Sequence, residues 1–216
     1  MNMAIILQKP LHQAKNRLKN SLSPKKRMLL AESMLYDTLQ TIRAAAFDRV
    51  AIVTGDPDVA EIAEYLSVEV IHEYQVNGMN EALKLVIQNL PLSIHTLFIF
   101  PADIPFIQVE EMNRLIQITR NVPVTIIPCK ESRGTNGLVL SPPDIMETGF
   151  GTNSMSKHCR VAEDLGIPYL IYQSGGIAFD IDTDKDLQSI QEWHADNKTK
   201  HFLSSCNIHQ KIKGVR

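Results

Sequence analysis

An apolar, β-rich run from Thr96 to Phe100 stops abruptly at Pro101-Ala102-Asp103-Ile104-Pro105, a lone carboxylate between two prolines. A run this short and this apolar reads as a buried strand. In an open α/β sheet, ligands bind outside the carboxyl ends of the strands, and Asp103 is expected just past such an end. A second acidic cluster, Asp180-Ile181-Asp182, follows the last strand-like run, Gly176 to Phe179. In extended chain Asp180 and Asp182 face the same side. Carboxylates converging from two distant strand ends form a candidate site for a divalent metal, and a metal in turn suggests phosphates.

The rest of the chain alternates between strand-like and helix-like stretches. Met3 to Leu7 reads as the first strand, followed by a polar, lysine-rich loop from Gln8 to Ser23 that carries Lys9, Lys15, Arg17 and Lys19. A long loop after a first strand is a place for function, here a phosphate clamp or simply a solvated basic loop, and no Walker glycine pattern decides between them. Ser23-Pro24 is a cap-and-start signal for an amphipathic helix to about Ala46. Val50 to Thr54 reads as the second strand, with Asp56-Pro57 starting the next helix, and Val68 to His72 as the third. Asn77-Gly78-Met79-Asn80 opens a further helix; the Asn80 amide offers both a donor and an acceptor, as recognition of a base requires, or it is only part of a turn.

Beyond Asp103 the elements shorten. A helix is expected between Pro105 and Arg120, then strands at Val122 to Pro128 and Gly137 to Leu140, separated by the small polar loop Lys130 to Asn136. Phe150-Gly151-Thr152-Asn153-Ser154 reads as a turn into a helix, with Ser154 as its N-cap. Gly151 and Ser154 then lie beside exposed amides that favour an anion. His158 falls one turn further on the same face as Ser154. Ile167 to Gln173 reads as another strand, and Asp184 to Trp193 as a final helix capped by Thr183. After that periodicity is lost, so residues 1–192 are expected to form the domain and residues 193–216 a polar, poorly ordered tail or loosely docked appendage.

Composition narrows the classes. A length of 216 residues and 44% hydrophobic content suit one α/β domain with a full core. The 22 basic and 24 acidic residues give a net charge of −2, without the basic excess of a nucleic-acid binder. No apolar stretch approaches the length of a membrane span, and Met3 to Leu7 is too short for the core of a signal peptide. Cys129, Cys159 and Cys206 show no metal-binding spacing and fit a reducing cytoplasm. The alternation of strands and helices predicts an α/β sandwich with a mostly parallel sheet, with antiparallel or mixed additions after about Val122.

Taken in order, QKPLHQAKNRL, LSPKKR, VAIVTGD, NGMNEAL, FPADIP, RGTNGL, SPP, FGTNSMSKH and DIDTDKDL resemble the CofC family of guanylyltransferases over roughly residues 1 to 190. The resemblance implies a three-layer, Rossmann-like GT-A-type nucleotidyltransferase fold with a mostly parallel, mixed sheet. It implies transfer of GMP from GTP to a small phosphorylated acid in coenzyme F420 biosynthesis, with release of pyrophosphate. The acceptor in such enzymes is 2-phospho-L-lactate, phosphoenolpyruvate or 3-phospho-D-glycerate. By motif, the resemblance assigns Mg²⁺ to Asp103, Asp180 and Asp182. It also assigns the triphosphate to Lys15 and Arg17, the acceptor to Thr135, Gly151 and Ser154, and the border of the base to Asn80. The partners it implies are GTP and the phosphorylated acid, with a homodimer possible and neither nucleic acid nor membrane expected. Thr152-Asn153 departs from the more glycine- or proline-rich turn of related sequences.

Other readings compete. Nucleotidyltransferases acting on a sugar phosphate or a molybdopterin carry a glycine-rich LAxGxxxR loop, where this chain has QKPLHQAKNRL. A GT-A glycosyltransferase would share the paired aspartates but transfer a sugar. A non-catalytic nucleotide-binding module would have no need of the full acidic set.

Overall fold

The computed structural model describes residues 1–73 and 78–206. In chain order the elements are β1 (Asn2–Leu7), α1 (Pro24–Ala44), β2 (Arg49–Thr54), α2 (Pro57–Tyr65), β3 (Glu69–His72), α3 (Met79–Gln88), β4 (Thr96–Pro101) and α4 (Val109–Ile118). Then follow β5 (Val124–Pro128), β6 (Thr135–Leu140), α5 (Ser154–Asp164), β7 (Tyr169–Ile171), α6 (Gly175–Ala178), α7 (Asp184–Ser189) and α8 (Lys198–Ser205). Short 3-10 turns at Leu11–Gln13 and Asn16–Leu18 shape the loop after β1.

The strands form one seven-stranded sheet in the order β3-β2-β1-β4-β6-β5-β7. Among the described residues only β6 is reversed: it runs antiparallel to β4 and β5, whereas the other pairings there are parallel. Side-chain alternation along β1 explains the three layers. Ala4 and Ile6 join the core packed by α1 on one face, while Met3, Ile5 and Leu7 join the core on the opposite face. Both faces being covered, the central strands are apolar throughout, as parallel sheets require.

This topology fixes where a ligand can sit. From β1 the chain moves to β2 on one side, and β4 lies on the other, so the sheet has its switch point between β1 and β4. The loops leaving the carboxyl ends of these two strands diverge there and leave a crevice. Because β6 is reversed, its amino-terminal residues Thr135 and Asn136 come to the same edge of the sheet.

Local signals account for most helix starts. Ser23 accepts from Lys26 N–H with Pro24 in the first turn of α1, and Asp56 accepts from Asp58 N–H with Pro57 opening α2. Thr183 and Asp186 form a reciprocal capping box at α7. Ser154 differs from its expected role. Asn153 occupies the cap position in the left-handed conformation, and Ser154 is the first helical residue, with its hydroxyl turned toward Thr135.

Two further segments differ from the sequence reading. Gly176 to Phe179, read as a strand, lies mostly in the single turn α6, because Ser174 accepts from Ile177 N–H and thereby starts a helix. Gly176 must be glycine there, since a Cβ would come within 2.9 Å of Ile107 Cα and 3.0 Å of Phe106 O. Of the two readings of the chain after Trp193, a poorly ordered tail or a loosely docked appendage, the described part is a docked one: α8 packs on α1 as far as Cys206. Asp37 of α1 accepts from the Lys198 and Thr199 amides at 3.1 and 2.7 Å, satisfying two orphan donors of α8. Trp193 stacks on Phe106 at 5.2 Å and also meets Phe179, so the first residues of the expected tail brace both site loops. Residues 207–216 lie outside the described residues, as does Asn77.

Candidate active site

The loop after β1 turns back over the carboxyl edge of the sheet. Leu11 N–H donates to Asp56 at 2.7 Å, which ties its first 3-10 turn to the end of β2. Lys15 then takes a left-handed backbone conformation, φ 56° and ψ 34°, which a lysine adopts at some cost in strain. That conformation aims a side chain only 5% exposed into the crevice.

Lys15 Nζ lies 2.6 Å from Asp103 and 2.8 Å from Asp182, and Arg17 reaches Asp182 at 3.3 Å from the solvent side. Asp103 follows β4 as expected, and the loop holding it is fixed to α1 by the Thr38 hydroxyl donating to Ala102 O at 3.2 Å. Asp182 N–H donates to Asp186, so the capping box of α7 also orients the second loop. Asp103, Asp180 and Asp182 each offer a carboxylate oxygen, all within 4.8 Å of one another.

The charges in this cluster are strongly coupled. Burial works to lower the Lys15 pKa, but the charges of Asp103 and Asp182 outweigh it and hold the ammonium well above its ordinary value. Asp182 is likewise penalised by burial, yet Lys15, then Arg17 and Lys9, bring its carboxyl below the usual range. Asp180 goes the other way. Burial, then the charges of Asp103 and Asp182, raise it to about 6 despite a hydrogen bond from Asn136. One lysine therefore does not neutralise the cluster. Convergent oxygens with excess negative charge suit a hard divalent cation, so the residues fit the metal that their pattern suggested.

Asn136 was not singled out as a site residue, although it stands in the RGTNGL segment. Its amide donates at 3.0 Å to Asp180 and at 3.1 and 3.2 Å to the carbonyls of Ile177 and Ala178. It thus holds the α6 turn and the Asp180 carboxylate together. The neighbouring Thr135 donates its amide proton to Ser154 Oγ at 2.9 Å, while its hydroxyl meets His158 Nδ1 at 3.0 Å. Thr135 and Ser154 are therefore brought together, and Gly151, with φ +122°, shapes the turn in front of α5. Asn80, expected at the border of the base, is anchored to the turn before α5. Its amide is used on both sides by Phe150, accepting from the N–H at 2.9 Å and donating to the carbonyl at 3.0 Å.

Beside the cluster lies a cleft of about 400 Å³, lined among others by Gln8, Lys15, Arg17, Met79 and Asp103. Its volume is that of a small-molecule site. No helix among the described residues is long and apolar enough to cross a membrane.

Comparison with known proteins agrees with this arrangement. The family model described as "Guanylyl transferase CofC like" matches residues 2–215. A phosphoenolpyruvate guanylyltransferase of Sphaerobacter thermophilus is 34% identical over 190 residues, covering 87% of this chain and 91% of the relative. A 2-phospho-L-lactate guanylyltransferase of Methanocaldococcus jannaschii is 31% identical over 205 residues, covering 94% and 88%. Among solved structures, one described as a nucleotide-diphospho-sugar transferase of Desulfovibrio desulfuricans G20 superposes with a TM-score of 0.80 at 17% identity, covering 97% of each chain. That likeness shows the shared fold.

Proposed function

The chain belongs to the CofC-like guanylyltransferase family, and from that premise we propose that it transfers GMP from GTP to a small phosphorylated acid in coenzyme F420 biosynthesis. The acceptor is of the class of 2-phospho-L-lactate, phosphoenolpyruvate or 3-phospho-D-glycerate. An oxygen of its phosphate attacks the α-phosphorus of GTP, the bond from that phosphorus to the bridging oxygen breaks, and pyrophosphate leaves. The product is a diphosphate-linked guanosine ester.

The observation that supports this reading is the junction at Thr135-Asn136. Asn136 is bonded to Asp180 of the acidic cluster, while Thr135 is bonded to Ser154 and His158. Two anionic ligands that must react with each other would lie on either side of one dipeptide. Asp103, Asp180 and Asp182 would hold the divalent cation, in this reading Mg²⁺. When bound, it supplies positive charge against the α-phosphate and the departing pyrophosphate.

The remaining tasks fall to the chain's own groups. Lys15 and Arg17 line the cleft and are the cations for the β- and γ-phosphates. Thr135, Gly151 and Ser154 orient the acceptor, with hydroxyl donors facing its anionic groups. A phosphate is already ionised near neutral pH, so no general base has to remove a proton from it. The chemistry is then positioning and charge stabilisation.

The test is pyrophosphate release from purified protein with GTP and Mg²⁺, run separately with each of the three acids. Release that depends on one of the acids, and is lost in Asp103→Asn at unchanged melting temperature, is the expected result. GTP binding without release with any acid would contradict it.

A further inference from the structure

His158 is buried, and its ring is held from both sides. Nε2 accepts from Gly149 N–H at 3.0 Å, while Nδ1 lies 3.0 Å from Thr135 Oγ1. A ring nitrogen that accepts an amide proton carries none of its own, so the neutral imidazole has its proton on Nδ1. Burial, and secondarily Lys157, lower its pKa to about 4, so the ring is neutral near pH 7. The Nδ1–H therefore donates to Thr135, and Thr135 cannot donate back.

The consequence lies in the hydroxyl groups. Thr135 Oγ1 receives its hydrogen bond from His158, and Ser154 Oγ receives one from Thr135 N–H. Among the described residues neither hydroxyl has a protein acceptor for its own proton. Both are left as donors, side by side, next to the dipeptide that reaches the acidic cluster. Phe150 packs edge-on against the ring at 5.2 Å, and Asn80 clamps the Phe150 backbone, so the ring and the turn before α5 are fixed as one unit.

We propose that His158 is a positioning residue for the phosphorylated acid: its Nδ1–H occupies the Thr135 oxygen and so commits the Thr135 hydroxyl to donate to the anionic acceptor. This rests on the reading of Thr135, Gly151 and Ser154 as the acceptor's subsite. Two adjacent hydroxyl donors then suit a ligand group that accepts hydrogen bonds, such as a carboxylate or phosphate oxygen.

Two substitutions separate the two sides of the ring. In His158→Asn the side-chain NH₂ stands where Nδ1 stood and can still donate to Thr135. In His158→Gln the side-chain oxygen stands where Nε2 stood and can still accept from Gly149, while the donor to Thr135 is lost. Initial rates of pyrophosphate release would be measured with GTP and Mg²⁺ for both variants, for Thr135→Val, and for the His158→Gln/Thr135→Val double variant. The acid is whichever of 2-phospho-L-lactate, phosphoenolpyruvate or 3-phospho-D-glycerate supports turnover. Expected are a rise of about tenfold or more in acceptor KM for His158→Gln and Thr135→Val, with GTP KM within about twofold, and no further rise in the double variant. His158→Asn should stay within about threefold of the parent protein. A His158→Asn defect equal to or larger than that of His158→Gln would overturn the proposal and leave a role in holding the turn. An unchanged acceptor KM in Thr135→Val would instead overturn the subsite reading beneath it. Imidazole ¹H–¹⁵N correlation spectra of the unmodified protein give an independent check. His158 should show the Nδ1–H tautomer at pH 7, and an Nε2–H tautomer or an imidazolium would overturn the proposal without any variant having to fold.

Discussion

The ammonium of Lys15 stands 2.6 Å from a carboxylate oxygen of Asp103, joining residues 88 positions apart in sequence. It also contacts Asp182, so in the absence of metal one buried lysine partly offsets the repulsion within the acidic cluster. Replacing it exposes that repulsion. Lys15→Met should lose roughly 1–3 kcal/mol of stability in EDTA, the cost of leaving charged partners unsatisfied. Added Mn²⁺ should restore the variant's melting temperature more than it raises that of the parent. Equal manganese shifts in the two proteins would show that Lys15 does not share the carboxylates with the cation.

Asn136 predicts a different effect. Its amide holds Asp180 from behind and would not touch the cation itself. Removing such a supporting hydrogen bond commonly costs about 10–100-fold in metal affinity or activity. Asn136→Ala should therefore weaken Mn²⁺ binding, measured by calorimetry in the presence of GTP, by about that factor. Unchanged manganese binding would confine Asn136 to holding the α6 turn.

Buried histidine makes stability depend on pH. The pKa of His158 falls from 6.5 to about 4 on folding, so the unfolded chain takes up a proton that the folded one refuses. Its contribution is fully present above about pH 6.5 and is lost as pH falls toward about 4. The slope approaches roughly 1.4 kcal/mol per pH unit within that window. Thermal melts at pH 7, 6 and 5 should show a steeper loss in the parent protein than in His158→Gln. Parallel losses would mean that the ring is not buried in its neutral form.

Much of the fold was legible because its signals are local. The two prolines around Asp103 announce a strand end, and Ser23-Pro24 and Asp56-Pro57 announce helix starts within a few residues. The elements that were misread depend on distant partners. The amino terminus of α8 has a local cap, Asn197 accepting from Lys200 N–H, but its first two amides go to Asp37, 161 positions away, and only Thr199 and Leu203 of that helix are buried, too few to make a periodic pattern. The turn α6 depends on Ser174, which is itself held by Glu111 of α4. Asn136 reads as the last residue of a polar loop; antiparallel additions are expected in this region, but only the fold shows that β6 begins at Thr135 and carries Asn136 to the carboxyl edge. Asn80 offers a donor and an acceptor as read from the sequence, and only the fold shows that one of each goes to the Phe150 backbone.

In the proposed transfer a phosphate oxygen of the acceptor becomes bonded to the α-phosphorus of GTP. ³¹P NMR of protein, GTP, Mg²⁺ and each phosphorylated acid in turn reads that bond directly. The predicted result, with one of the acids, is a pair of coupled diphosphate resonances from the new ester, growing in step with free pyrophosphate and absent in Asp103→Asn. Pyrophosphate accumulating with GMP alone, or GTP left intact with all three acids, would contradict it.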